Sequence, residues 1–239
     1  MTKKSSNHSM SYKDELINSI EPNFVFNKKP LNRFKFDGIK NVNNNLDKIN
    51  LIDDLKKQIN SIENCNLKNN SKKLILGDGN IDSPIMVIGE APAEEEEKTG
   101  KTFQGDSGAL LEKMLSAINL KKNYIYSSYA INFRPPDDRK PTSQEIKKYS
   151  IYLKEHISII DPKVIILFGG TAMESLSGRS ERVSNERGIW KEIILKNKTY
   201  PFIITFSPSY LIRFPDNKKY SWEDLKKIRQ KIIDLKLNI

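Results

Sequence analysis

Residues 161–172 read DPKVIILFGGTA, and this stretch decides the fold class. Five apolar residues in a row, Val164 to Phe168, stand between Asp161-Pro162 and Gly169-Gly170, a pattern that predicts a strand buried on both faces. A run without polar alternation belongs to a parallel sheet covered by helices on each side. Working outward, Ile85 to Ile88, Tyr124 to Ile131 and Pro201 to Phe206 predict three further strands. Amphipathic stretches between them predict helices. Ser107 precedes Leu110, Leu111, Met114, Leu115 and Ile118. Thr142 and Glu145 form a capping box ahead of Ile146, Tyr149, Leu153, Ile157 and Ile160. Ser221 and Asp224 read as a second such box before Leu225, Ile228, Ile232 and Leu235. Strands alternating with helices of this length build β-α-β units. The expected fold is an α/β chain, a three-layer α/β/α sandwich around a four-stranded parallel sheet, with no internal repeat.

The chain has 239 residues, 37% of them hydrophobic, with 40 Lys and Arg against 30 Asp and Glu. The longest apolar run is far short of the roughly 20 residues a membrane helix needs, and the start MTKKSSNHSM lacks the apolar centre of a signal peptide. A cytoplasmic, nucleoid-associated monomer is the expectation. The single thiol, Cys65, cannot by itself build a disulfide framework, a four-thiolate zinc site or an iron-sulfur cluster. No metal and no cofactor is expected. A net charge of +10 favours a polyanionic partner, DNA above all, although a Lys-rich and Asn-rich composition can produce the same excess.

The first 70 residues hold 15 Asn and 12 Lys and Arg against 8 acids, which reads as a basic N-terminal arm, residues 1–70, ahead of a domain over 71–239. Within the arm, Leu46, Ile49, Leu51, Ile52, Leu55, Ile59 and Ile62 recur near helical spacing. A helix around 46–63 is expected to pack on the core, which should begin near Lys72.

In parallel sheets the working residues collect in loops beyond the strands' carboxyl ends. Four such loops are unusual here. Gly89-Glu90-Ala91-Pro92-Ala93 carries one carboxylate at a tight turn, and Glu90 suits water positioning or simply faces solvent. Glu94 to Glu97 read as a solvated acidic face. Phe103, between Gly100 and Gly105, suits stacking on a planar ring or plugs the end of the sheet, and Lys101, Asp106 and Ser107 could meet phosphate or cap a helix. Phe133 to Pro141 is a proline-stiffened loop with Arg134, Arg139 and Lys140 available to phosphates. Ser207 to Pro215 combines Ser207, Ser209, Leu211 and Arg213, followed by Lys218, Lys219, Tyr220 and Trp222. It suits either a wedge into a base stack or a connection with Leu211 buried. His8 lies in the arm and His156 on an apolar helix face, so a histidine triad is not expected.

Five ordered segments, GEAPAEEEEKTGKTFQGDSGALLEKML from Gly89, YIYSSYAINFRPPDDRKPTSQEI from Tyr124, PKVIILFGGTA from Pro162, RGIW from Arg187 and ITFSPSYLIRFP from Ile204, resemble the uracil-DNA glycosylase superfamily, family 4 most of all. The resemblance implies the same three-layer fold. It implies that Glu90 and the Ala91 backbone position water and floor the base pocket, that Phe103 stacks on uracil, and that Leu211 to Arg213 penetrate DNA. Three positions depart from the family. Its cluster-binding cysteines are replaced by Phe133 and Ser150, its uracil-reading Asn by Tyr129, and the His of its His-Pro-Ser motif by Ser207. The function so implied is a DNA repair glycosylase that flips a damaged base, uracil first, and hydrolyses its N-glycosidic bond, with Glu90 and Ser207 catalytic. The alternative is a non-catalytic DNA-binding or damage-sensing protein on the same fold.

Overall fold

The computed structural model describes residues 45–63 and 65–237. The remainder of the N-terminal arm, His8 included, lies outside the described residues. The chain runs α1 (Asn45–Asn60), α2 (Asn66–Asn70), β1 (Gly77–Gly79), β2 (Ile85–Gly89), α3 (Glu94–Thr99), α4 (Gly105–Ser116), β3 (Ile125–Tyr129), α5 (Ser143–Ile160), β4 (Val164–Phe168), α6 (Gly170–Ser177), α7 (Val183–Glu186), β5 (Trp190–Leu195), β6 (Lys198–Thr205), α8 (Pro208–Arg213) and α9 (Lys218–Asp234).

The sheet order is β1-β3-β2-β4-β6-β5. The inner four strands are parallel, as expected, with Ile88 beside Ser128 and Leu167, and Phe168 beside Thr205. Two antiparallel edge strands extend the predicted four to six. The turn joining β5 to β6 is Lys196-Asn197, both residues at positive φ, +45° and +65°. Such a two-residue turn matches the twist of a hairpin, but Lys-Asn is a weak signal beside Asn-Gly, and the hairpin went unread.

Alternate residues of β4 enter different cores. Ile165 and Leu167 pack with Ile52, Leu55 and Ile59 of α1 and Tyr149, Leu153 and Ile157 of α5. Val164, Ile166 and Phe168 pack with Leu111 and Leu115 of α4 and Leu225 and Ile228 of α9. Helices therefore cover both faces, and each fully buried aliphatic side chain contributes about 1.5–3 kcal/mol. Because α1, Cys65 and Leu67 join the first core, the packed unit starts well before Lys72. Leu46, Ile49 and Leu51, counted among the seven apolar positions of the expected helix, face solvent instead.

The Thr142–Glu145 capping box is formed, with the Glu145 carboxylate accepting the Thr142 N–H at 2.7 Å. The other two helix starts are corrected. α4 begins at Gly105 with Gln104 at its cap, so Ser107 is inside the helix. α9 begins at Lys218, so Ser221 and Asp224 lie within it, both buried. Asp224 accepts the Thr205 hydroxyl at 2.7 Å and pairs with Arg187, whose guanidinium lies over the Phe206 and Tyr220 rings. Partners distant in sequence, not a cap, explain this acid.

His156 is buried between the Tyr126 hydroxyl (3.0 Å to Nε2) and the Ser128 hydroxyl (3.3 Å to Nδ1). Burial, assisted by the Lys56 charge, lowers its pKa from 6.5 to about 3. A depressed histidine pKa favours the fold above pH 6.5 and destabilises it as pH falls from 6.5 toward 3. The expected loss across that window is on the order of 4 kcal/mol. Urea midpoints measured from pH 7 to pH 4 should fall, and His156→Gln should flatten that slope; an unchanged slope in the variant would assign the acid sensitivity elsewhere.

Candidate active site

With four parallel strands aligned, the loops after β2, β3, β4 and β6 meet along one rim. They enclose a cavity of about 500 Å³ whose lining includes Glu90, Ala91, Glu96, Phe103, Tyr129, Thr171 and Ser207 together with Arg139, Lys140, Ser209 and Arg213. That size lies within the range of small-ligand sites.

Glu90 leaves the end of β2 half-buried, and its Oε1 accepts the backbone N–H of Thr171 at 3.1 Å. The carboxylate can sit there because Gly169, at φ +96°, has no side chain; a Cβ would collide with it. The loop after β4 thus orients the acid of the loop after β2.

Phe103 adopts φ +50°, left-handed backbone that is unfavourable for a bulky residue. Its N–H donates to the Tyr129 hydroxyl at 2.8 Å, and the two rings sit 5.0 Å apart at 36°. Both abut Gly89, where a Cβ would come within 2.7 Å of Tyr129 and 2.8 Å of Phe103. Phe103 is partly buried against the second core, so it lines the cavity and closes the sheet's end together.

Of the acidic run after the first loop, only Glu94 and Glu95 form the solvated face expected. Glu96 and Glu97 are buried, at 5% and 8% exposure. Glu96 Oε1 accepts the Tyr129 hydroxyl (3.0 Å) and the Gln104 N–H (2.9 Å), while Oε2 accepts the Ala93 N–H (3.0 Å). Only the spacing Ala93 to Glu96, half a capping box, hinted at this. Burial works to raise the Glu97 pKa, but the Lys72 N–H, the Ser71 hydroxyl and Arg134 outweigh it and hold the carboxyl below its ordinary range.

Ser207 caps α8, its Oγ accepting the Tyr210 N–H at 3.4 Å, and lies 3.2 Å from Ser209 Oγ.

The model of the Uracil DNA glycosylase superfamily matches residues 76–228. The chain belongs to that superfamily. It is 34% identical over 168 residues to a Type-4 uracil-DNA glycosylase of Thermotoga maritima, covering 69% of this chain and 86% of that one. It is 31% identical over 187 residues to a Type-4 uracil-DNA glycosylase of Sulfurisphaera tokodaii (75% and 84%), and 29% identical over 181 residues to one of Archaeoglobus fulgidus (74% and 91%).

Two expectations, one implied by the resemblance and one read from the proline loop, need correction. Leu211 is fully buried in the second core and cannot enter DNA; Ile212 and Phe214, at 41% and 51% exposure, face outward from that loop. The helical turn of α8 directs every third or fourth residue inward, which the sequence motif alone does not reveal. Arg134 and Arg139 are held by acids of this chain. Arg134 forks onto Asp138 at 2.7 and 3.0 Å, a bond that leads in raising its pKa, and also reaches Glu97; Arg139 forks onto Glu145 at 2.9 and 2.7 Å. They stiffen the proline loop and would meet phosphate only in competition with those carboxylates.

The iron-sulfur cluster of family 4 does not fit this donor set, since such clusters are held by four thiolates. At the corresponding place the Phe133 ring meets Tyr149 edge-on at 6.3 Å, Cys65 Sγ lies 3.2 Å from the Tyr149 hydroxyl, and the Ser150 hydroxyl donates to Lys147 O. The thiol is hydrogen-bonded to a phenol, an aromatic contact stands in the place of one ligand and a serine in the place of another.

Gly169→Ala should destabilise the protein by about 1–3 kcal/mol, from positive φ and displacement of the Glu90 carboxylate. Gly178→Ala, at φ +71° with open space around it, should cost less. Equal losses in thermal unfolding would mean that Glu90 is not held against the Gly169 backbone.

Proposed function

We propose that this chain is a DNA repair glycosylase that removes uracil from DNA by hydrolysing its N-glycosidic bond. The observation that carries this reading is one cavity in which Glu90, Phe103 and Ser207 face a shared space. A base drawn from the helix stacks on Phe103, which the flanking Tyr129 ring steadies. The bond between the sugar's C1′ and the base nitrogen stretches, leaving positive charge on the sugar and negative charge on the base. Glu90, anchored at Oε1 by the Thr171 N–H, stabilises that sugar cation and aligns a water with its second oxygen. The water oxygen bonds C1′ as the C1′–N bond breaks, the water's proton passes to Glu90, and the base departs with the electron pair. Ser207 accepts the Tyr210 N–H, and with the Ser209 hydroxyl as donor in the 3.2 Å contact between them its own hydrogen is left to donate to the base oxygen that gains charge. A neutral hydroxyl is a weaker donor there than a charge-assisted group, and absence of such a donor typically costs on the order of 100- to 1,000-fold in rate. A slow enzyme is therefore the expectation.

Grip on the duplex falls to Arg213, Lys140 and the outward face of the α8 loop. The rings of Phe206, Tyr210 and Phe214 form a column, 4.8 and 4.9 Å apart, that runs from the core to the surface. Phe214, its outermost ring, is the wedge in this reading, taking the role that Leu211 cannot. Among the described residues no helix is long and apolar enough to cross a membrane.

An oligonucleotide with one uracil, treated with alkali after incubation, tests the reading. The protein should give strand scission above background, Glu90→Ala should lower the rate by roughly 100-fold or more, and Phe103→Ala should weaken substrate binding. Phe214→Ala should slow action on a duplex more than on a single strand. Tight binding without scission would replace the enzyme with a damage-binding module; neither binding nor scission would end the proposal.

A further inference from the structure

The Tyr129 hydroxyl is engaged within the chain both as donor and as acceptor. Its one hydrogen goes to Glu96 Oε1 at 3.0 Å, and its oxygen accepts the Phe103 N–H at 2.8 Å. Both residues are buried, Tyr129 at 4% exposure and Glu96 at 5%. Glu96 ties in two further points, since it also accepts the N–H groups of Ala93 and Gln104. One buried carboxylate and one phenol therefore join the loop after β2, the end of β3 and the loop that carries Phe103.

We propose that Tyr129 is a positioning residue, holding Phe103 in its left-handed backbone through the Tyr129–Glu96 hydrogen bond, and that it does not read the edge of the flipped base. A phenol offers one donor hydrogen, and here it is already given. What Tyr129 presents to the cavity is its ring, tilted 36° against that of Phe103. The two rings form a corner that recognises a flat base by its face and thickness. Selection among bases then rests on groups other than the side chain at 129. This inference rests on the glycosylase reading for the identity of the ligand, but its geometry does not.

Binding to oligonucleotides carrying a single 2′-fluorouridine or 2′-fluorocytidine, sugars that resist cleavage, separates the alternatives without requiring turnover. Tyr129→Phe keeps the ring and removes the hydroxyl. Affinity for both oligonucleotides should fall by about tenfold, the loss expected for one buried hydrogen bond. The ratio of the two affinities should stay within about twofold of the unaltered protein, and kcat/KM on uracil should fall by a factor like that in binding. Glu96→Gln, which keeps an acceptor for the phenol but loses one for a backbone N–H, should give a smaller loss with the ratio again unchanged. It also carries the test if Tyr129→Phe does not fold. A ratio that collapses toward one in Tyr129→Phe would make the hydroxyl a base reader and overturn the proposal. Unchanged affinities with only a lower melting temperature would overturn it as well, by reducing the bond to a structural one. If the unaltered protein binds both oligonucleotides but cleaves neither uracil substrate, the glycosylase reading fails while the binding comparison still decides the role of Tyr129.

Discussion

Parallel alignment of β3, β2, β4 and β6 is the constraint on which the rest of the molecule depends. Strands that share a direction must release all their carboxyl ends on one side, so four loops far apart in sequence are forced to one rim. The register then sets which atoms can meet: Gly89 pairs with Tyr129 across β2 and β3, and Phe168 with Thr205 across β4 and β6. The strand ends that carry the rim loops are therefore fixed by a ladder of backbone hydrogen bonds. Helices on both faces keep that ladder out of water and supply the apolar burial that stabilises it.

On this rigid floor the site is held by two backbone anomalies and two carboxylates, one half-buried and one buried. Gly169, in left-handed backbone, admits the Glu90 carboxylate to a close approach that a side chain would forbid. Phe103, also left-handed, is kept there by the Tyr129 hydroxyl, which Glu96 orients in turn. Unfavourable backbone at a cavity persists only where its surroundings over-determine it, and here the surroundings are named hydrogen bonds. The distribution of charge follows the same logic. Arg134 and Arg139, which a motif reading assigns to DNA, are tied to Asp138, Glu97 and Glu145 and make the loop rigid before any partner arrives.

Much of this was legible in the sequence because it is local. Val164 to Phe168 coincides with β4 residue for residue, and Thr142 with Glu145 caps α5 because both halves of that signal lie within one turn. The candidate cavity residues Glu90, Phe103 and Ser207 were legible through strand ends and turn chemistry. What escaped was set by distant partners. Ser221 and Asp224 have the spacing of a cap, but Arg187, 37 residues from Asp224, draws that acid into the core. The sequence leaves Leu211 open between an exposed wedge and a buried connection, and one turn of helix rotates it inward. Glu96 was hidden in a run of four glutamates, in which nothing local distinguishes the one whose partners come from Tyr129 and Gln104. The edge strands were missed for a related reason, since edges need little hydrophobic pattern and the Lys196-Asn197 turn carries a weak signal.

The account stands or falls on where a flipped base lies. A crystal structure of the protein with a duplex carrying 2′-fluorouridine measures this directly. The base should lie flat against the Phe103 ring, with its sugar carbon facing the Glu90 carboxylate and a base oxygen within reach of the Ser207 hydroxyl. A base left in the helix, or bound on the outer surface with the cavity still filled by solvent, would contradict it.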